Sequence, residues 1–326
     1  MSIGIPTFNR ARTLERAVRS VLTQTHSNLE LIISDDASDD DTEALCRAIA
    51  TEDSRVRYMR HVPNIGQLAN YNVVYGAFGS PYVMVLADDD WLEPNYVERC
   101  LATLRRQPDC VAVSGRGRYW RGGTLLAREG LSLQLSQRDG ATRVRALLRA
   151  VGEGRAETST MFGVMPAEVL QQATPMPGVL AADILLVARI AFQGHVRTLE
   201  DVHVNRSVGG TSVSMASCVA AHDLPARQAR WPDLVIAADV LCDVGWQHPT
   251  YGTLSPLTRL RLAARCAFSV INWRSVAWHA TAPTAASLGR RSRGRWLWLA
   301  YDRLTRALGA EGLQGHLLVR QSHTRP

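Results

Sequence analysis

Three carboxylates stand side by side at Asp88-Asp89-Asp90, after the apolar run Val83-Met-Val-Leu-Ala87 and before Trp91. Crowded carboxylates repel one another and need a cation or donor groups close by. Oxygen ligands of this kind suit Mg2+ or Mn2+, above all when a substrate brings phosphates. The plainer alternative is a solvated acidic loop. A second acidic cluster, Asp35-Asp36-Ala37-Ser38-Asp39-Asp40-Asp41, follows the apolar Leu29–Ile33. Farther along, Asp183 precedes the strongly apolar stretch Ile184–Phe192. An acid in that position either caps a helix or takes a proton, and the two roles are compatible.

The elements that must position these groups are legible as a pattern. Ser2–Pro6, Leu29–Ile33, Val56–Met59, Tyr82–Leu86 and Cys110–Val113 read as strands. Between them lie helices over Thr13–Gln24, Thr42–Ala50, Gln67–Tyr75 and from Pro94 to Leu104. Strand–helix alternation predicts a mostly parallel α/β sheet covered by helices, with ligands at the C-terminal strand ends. Both acidic clusters then fall on one edge. After Gly115 the texture changes. An irregular hairpin is expected through Gly122-Gly123, a helix over Arg138–Val151, a strand over Thr158–Met165, a short helical turn over Pro166–Gln171, and an extended segment over Val196–Val204. From about Val213 the chain reads as helices, including a long one over Leu257–Trp278. The expected organisation is an α/β domain over 1–212, in two parts over 1–115 and 116–212, followed by a helical, arginine- and tryptophan-rich extension over 213–326.

Composition narrows the class. At 326 residues, 46% apolar and 21% charged, the chain can bury a sizeable core. The net charge of +7 is uneven, with acids common before residue 100 and arginine dominant after residue 250. That gradient suggests an anionic partner for the C-terminal part. No two of the six cysteines form a CxxC pair, so buried thiols in a reducing compartment are expected. No signal peptide and no transmembrane stretch is predicted, which points to the cytoplasm.

Four blocks, in order, resemble the family 2 glycosyltransferases of the GT-A fold: Ile5-Pro6-Thr7-Phe8-Asn9-Arg10, Asp35-Asp36-Ala37-Ser38-Asp39, Asn64-x-Gly66 with Asn70 and Asn72, and Ala87-Asp88-Asp89-Asp90-Trp91-Leu-Glu-Pro94. The resemblance covers roughly residues 1–212. It implies an inverting transfer of a sugar from a nucleoside-diphosphate sugar (most often of UDP, otherwise of dTDP or GDP) to a saccharide, lipid-linked or small-molecule acceptor, in glycan, glycolipid or cell-surface polysaccharide synthesis. By the same resemblance Pro6, Thr7, Asn9, Arg10, Asp35, Asp36, Asn64, Gly66, Asn70 and Asp88 line the donor, and Arg206 reaches its diphosphate. Mg2+ or Mn2+ is held by Asp89 with Asp90, or, on the simpler D-x-D spacing, by Asp88 with Asp90, and His203 is a further ligand candidate against the plainer reading of a surface histidine. Asp183 is the base. Ala87 and Ala182 stand where many relatives carry acids. Gly209-Gly210 suits a hinge over the donor. Residues 257–303, rich in arginine and tryptophan, fit the inner face of an anionic membrane, or a helical annex with a solvated basic face.

Rival classes are less consistent with these residues. A nucleotidyltransferase should carry a glycine-rich basic loop after the first strand, which Pro6-Thr7-Phe8-Asn9 is not. Acids clustered at strand ends argue against nucleic acid docking there. A non-catalytic scaffold would not need Asp88, Asp89, Asp90 and Asp183 together. The sequence says nothing about oligomeric state.

Overall fold

The computed structural model describes residues 1–155, 158–208, 218–220, 222 and 224–271. The Gly209-Gly210 hinge, the end of the Leu257–Trp278 helix and the Arg290–Trp298 segment lie outside the described residues. The main sheet has the order β3-β2-β1-β4-β9, from β1 (Ser2–Thr7), β2 (Glu30–Asp35), β3 (Val56–Arg60), β4 (Tyr82–Val85) and β9 (Met165–Pro166). The first four are parallel, and β9 joins antiparallel. Leu31, Ile32 and Ile33 are all fully buried, as a strand covered on both faces requires.

Helices α1 (Ala11–Leu22), α2 (Thr42–Glu52), α3 (Gln67–Gly76) and α4 (Tyr96–Arg106) make the crossovers. Leu14, Ala17, Val18 and Val21 are the buried face of α1, at the spacing read from sequence. A bent second sheet, β5-β10-β6-β7, is built on β6 (Cys110–Arg121) and β10 (His195–Ser207), with β5 (Trp91–Leu92), β7 (Thr124–Glu129) and a short β8 (Gln134–Leu135) against β10. The β6–β7 hairpin turns at Gly122 and Gly123, both at positive φ.

Register places the chemistry. Thr7 pairs with Asp35 across β1 and β2. Gly4 pairs with Val85 across β1 and β4, so three residues on Thr7 comes level with Asp88. The end of β10 returns antiparallel to β5, with Asn205 opposite Trp91, immediately beyond the three carboxylates.

Several expectations are corrected. Thr158–Phe162 is a 3-10 turn, and only Met165–Pro166 pairs as a strand. Pro94 precedes α4 without opening it, since Asn95 is the N-cap. The strand expected over Cys110–Val113 runs on to Arg121, carried past Gly115, where a Cβ would meet the Tyr96 ring and the Val202 carbonyl, both at 2.6 Å.

The described chain after β8 is mostly helical: α5 (Gly140–Gly152), α6 (Ala167–Ala173), α7 (Ala182–Gln193), α8 (Pro232–Cys242), a π-helical turn over Asp243–Gln247 and α9 (Pro256–Val270). Leu262, Ala263, Cys266 and Val270 of α9 join Val144, Leu147, Leu185 and Leu186 in one buried cluster. A Cβ at Gly152 would overlap the Ser269 carbonyl, so α5 and α9 approach as only glycine allows. The described residues up to 271 fall within one compact unit.

At the centre of this helical layer Arg189 of α7 forms a buried ion pair with Asp243, each side chain 3% exposed. Removing one partner strands the other charge in the interior, so Asp243→Ala should lose about 3–5 kcal/mol of unfolding free energy. Urea denaturation checks this, with a Arg189→Met/Asp243→Leu double variant expected to lose less than Asp243→Ala alone.

Candidate functional site

The ends of β1, β2 and β4 meet the end of β10, and each carboxylate there has a different environment. Thr7 Oγ1 donates to Asp88 Oδ2 at 2.8 Å, and Arg10 Nε lies 4.0 Å from Asp88 Oδ1. Burial, then repulsion from Asp89, pushes the Asp88 carboxyl up to about 7, against the Thr7, Arg10 and Phe8 contacts that favour its charge. Asp90 is 3% exposed. Ser207 N–H donates to its Oδ1 at 2.9 Å, and Arg206 Nε lies 3.4 Å from Oδ2. Burial pushes Asp90 up to about 6; Arg206 opposes the rise and Asp89 adds to it.

Asp89 differs from both. Its backbone carbonyl accepts from Ser207 Oγ at 2.5 Å and from Arg16 Nη2 at 3.1 Å, while its half-exposed carboxylate takes no hydrogen bond among the described residues. Arg16 also lies 3.5 Å over the Trp91 ring. Trp91 packs on Trp120, whose indole N–H donates to Asn205 Oδ1. Sequence reasoning missed Arg16 and Ser207. Each reaches the carboxylates across more than seventy residues of chain, and neither carries a local signal.

The second acidic cluster is committed to internal bonds. Asp35, fully buried, accepts from Ser38 N–H at 3.0 Å and from Tyr58 OH at 2.7 Å, with Arg60 Nε at 3.6 Å. Asp36 accepts from Ile65 and Gly66 N–H at 2.7 and 3.0 Å, while Asn64 Nδ2 donates to its carbonyl. The φ of +88° at Gly66 suits that turn to glycine. Asn70, 2% exposed, bonds Ser34 through its side chain and through its carbonyl. Asn9, at φ +53°, accepts from Asp39 N–H and places its own N–H on Ser38 Oγ. Pro6 pairs with Ser34 beside them. Asp35, Asp36, Asn9, Asn64 and Asn70 thus shape the pocket wall, whereas Thr7, Arg10, Asp88, Asp89, Asp90 and Arg206 gather at its floor.

His203 is corrected from a surface histidine. It is 7% exposed, its N–H donates to Glu93 Oε2 at 3.0 Å, and its Nδ1 lies 3.3 Å from the same carboxylate. Glu93 also holds Arg118 at 2.6 Å. A neighbour of Pro94, Glu93 was quoted in the sequence block without a role.

Asp183 sits in the first turn of α7, after the N-cap Ala181, with Oδ1 accepting from Ile184 N–H at 2.8 Å. Tyr71 and Tyr75 of α3, with ring centroids 6.1 Å apart and planes tilted by 48°, lie between it and the three carboxylates. Burial raises both phenols; Tyr71 is raised further by Tyr75 and by Asp88, Asp90 and Asp89, and Tyr75 by Asp183. His222 is held below its usual range by burial, with Asp183 pulling the other way.

Among the described residues no three His, Cys, Asp or Glu side chains converge as a ready cation cage. The donor set instead fits a hard cation completed by substrate phosphates: crowded carboxylate oxygens, one of them unbonded, with mutual repulsion that a cation would relieve.

Residues 2–149 match the family described as "Glycosyl transferase family 2". A Campylobacter jejuni protein, GalNAc(5)-diNAcBac-PP-undecaprenol beta-1,3-glucosyltransferase, is 36% identical over 93 residues, which are 28% of this chain and 30% of that one. Chondroitin synthase of Pasteurella multocida is 38% identical over 118 residues, 36% of this chain and 12% of that one. The chain spans less than half the length of the curated relatives it matches. Among solved structures, the mannosyltransferase PcManGT of Pyrobaculum calidifontis, in complex with GDP-Man and Mn2+, superposes with a TM-score of 0.55 at 17% identity, over 93% of this chain and 79% of that one. Residues 2–149 are therefore similar to glycosyl transferase family 2, and the α/β architecture is the GT-A fold.

Proposed function

We propose that the chain is a metal-dependent inverting glycosyltransferase that moves a sugar from a nucleoside-diphosphate sugar to an acceptor hydroxyl in polysaccharide or glycolipid synthesis. The observation that carries this reading is the convergence of Thr7, Arg10, Asp88, Asp89, Asp90 and Arg206 on one edge of a domain similar to family 2. The nucleotide lies against the wall built by the Asp35–Asp36 and Asn64–Gly66 loops. Arg10 and Arg206 bring guanidinium charge to the phosphates. Asp89, the carboxylate left unbonded, is the first candidate to hold Mg2+ or Mn2+, with Asp90 beside it; His203, turned onto Glu93, is a weaker one. When bound, such a cation neutralises the charge that builds on the departing diphosphate.

Asp183 accepts the proton of the acceptor hydroxyl as that oxygen attacks the anomeric carbon. The bond to the diphosphate breaks in the same displacement, so the anomeric configuration inverts. The apolar run after Asp183, interrupted only by Arg189, fixes α7 in the core, and the acid stands in its first turn. Trp91 and Trp120, at the rim, offer aromatic faces on the acceptor side.

The C-terminal helix favours a lipid-linked acceptor. Helix α9 contains no acid and exposes Leu257 (58%), Leu260 (50%) and Phe268 (65%) beside the exposed Arg261 and Arg265. Apolar side chains flanked by arginine suit the interface of an anionic bilayer. No described helix is long and apolar enough to cross a membrane. The rest of the 257–303 surface lies outside the described residues.

Three measurements test these assignments. In calorimetry with UDP, dTDP and GDP, one nucleotide should bind in Mn2+ and not in chelator, and Asp89→Ala should abolish that difference. Asp183→Asn should keep nucleotide affinity and lose transfer by at least about a hundredfold; transfer at the parent rate would remove Asp183 as the base. Sedimentation with phosphatidylglycerol vesicles should exceed that with phosphatidylcholine and fall with added salt. Leu260→Asp should weaken it, and unchanged sedimentation would remove α9 from the contact.

A further inference from the structure

The connection from α6 to α7, residues 174–181, has to deliver Asp183 to the site, yet its own sequence does little to fix it. The N-cap of α7 is Ala181, which offers no side-chain cap. The connection is instead held from outside: Asp239 accepts from the Ala181 N–H and His248 bonds the Thr174 backbone, and two further anchors act nearer its start and middle. Arg189 Nη1 donates to the Ala173 and Pro175 carbonyls at 2.8 and 2.6 Å, anchoring the near end. Asn72 of α3 then grips Met176 with both halves of its amide: Nδ2 donates to the Met176 carbonyl at 2.9 Å, and Oδ1 accepts from the Met176 N–H at 2.8 Å. The two residues are 104 positions apart in sequence.

Helix α3 is tied equally firmly on its other side. Residues two apart on a helix project in nearly opposite directions. Asn70 points to the donor wall, where it bonds Ser34. Asn72 points to the acceptor side. The helix start is held by the Asp36 carboxylate through Ile65 and Gly66 N–H. One helix therefore spans from the pocket wall to the connection that carries Asp183.

We propose that Asn72 is a positioning residue for Asp183: its paired hydrogen bonds to Met176 fix the 174–181 connection, and so the carboxylate at the start of α7, relative to the donor pocket. This rests on the reading of Asp183 as the base. Asn72 touches neither donor nor acceptor in this role. Misplacement by about an ångström at a reacting centre costs orders of magnitude in rate, whereas the nucleotide wall keeps its own bonds through Asn70, Asp36 and Ser34.

The test is a split between binding and turnover. Asn72→Ala should lower kcat by at least about tenfold while the calorimetric Kd for the nucleoside diphosphate in Mn2+ stays within about twofold. Hydrogen exchange should quicken at the Met176 amide and through residues 176–183, and stay unchanged in β1 and β2. Asn72→Asp keeps an acceptor for the Met176 N–H and loses the donor to its carbonyl. It should show a smaller fall of kcat in the same direction, and it serves if the alanine variant does not fold. Val18→Ala, a cavity variant in α1 far from the connection, controls for lost stability and should leave kcat near the parent value. A kcat within twofold of the parent for both Asn72 variants overturns the proposal, as does an equal loss of nucleotide affinity or an equal kcat loss in Val18→Ala. Asp183→Asn, assayed alongside, separates the two readings. Lost transfer there with normal Asn72 variants removes only the positioning role, while normal transfer by Asp183→Asn removes the base and this proposal with it.

Discussion

Mutual repulsion among Asp88, Asp89 and Asp90 is the constraint that the site is arranged to manage. Burial makes the problem worse, which is why Asp88 and Asp90 hold their protons up to about 7 and about 6. The protein answers from three directions. Thr7 and Arg10 meet Asp88 from β1 and the loop after it. Ser207 and Arg206 meet Asp90 from β10. Arg16 meets the backbone of Asp89 from α1. These groups spend their donors on the outer two carboxylates and on the peptide carbonyl, leaving the middle carboxylate unbonded among the described residues. A site that gave all three acids full partners would have nothing to offer a cation, and a site that gave them none would not keep them buried.

Much of this was legible in the sequence because it depends on strand periodicity and chain order. Apolar runs, Leu31–Ile33 in β2 and Val83–Leu86 through β4, marked buried strands, and a strand's C-terminal end is where its following loop must carry ligands. That placed Thr7, Asp35 and Asp88 on one edge before any coordinates. Partners from distant parts of the chain were not legible. Ser207, Arg16 and Glu93 act through contacts that span seventy to nearly two hundred residues, and nothing in their neighbours marks them. Asp35 and Asp36 show a second limit. Two acids after a strand look alike in sequence whether they face a ligand or fold back on their own loop, and only the Tyr58, Ser38 and Gly66 partners reveal that both are occupied within the wall.

The same limit explains the misread strand. Thr158–Met165 has the composition of an extended segment, but Gly163 lies where the Val113 and Thr160 carbonyls leave no room for a Cβ, and Gly163 N–H bonds the Thr160 carbonyl. The turn is dictated by what the segment packs against. His203 was misread for a similar reason: its burial depends on Glu93, which reaches it from the loop after the carboxylates.

The helical segment beyond residue 224 follows from the needs of α7. An almost wholly apolar helix cannot be left with one face on a sheet and the other in water. Helix α5 packs on α7 and α9 packs on α5, so that Leu262 and Cys266 of α9, with Val240 and Val244, join the cluster that holds Leu185 and Leu186. Arg189, the one base of α7, would then be stranded in an apolar interior without Asp243 and the Ala173 and Pro175 carbonyls. Texture changes along the chain because the problem changes. The parallel sheet supplies a nucleotide edge from local patterns, whereas presenting a single acid at a helix start takes a second layer of helices and an anchor borrowed from α3. Burial falls into two apolar clusters, and the one that holds α7 also takes in Val83 and Val85 of β4.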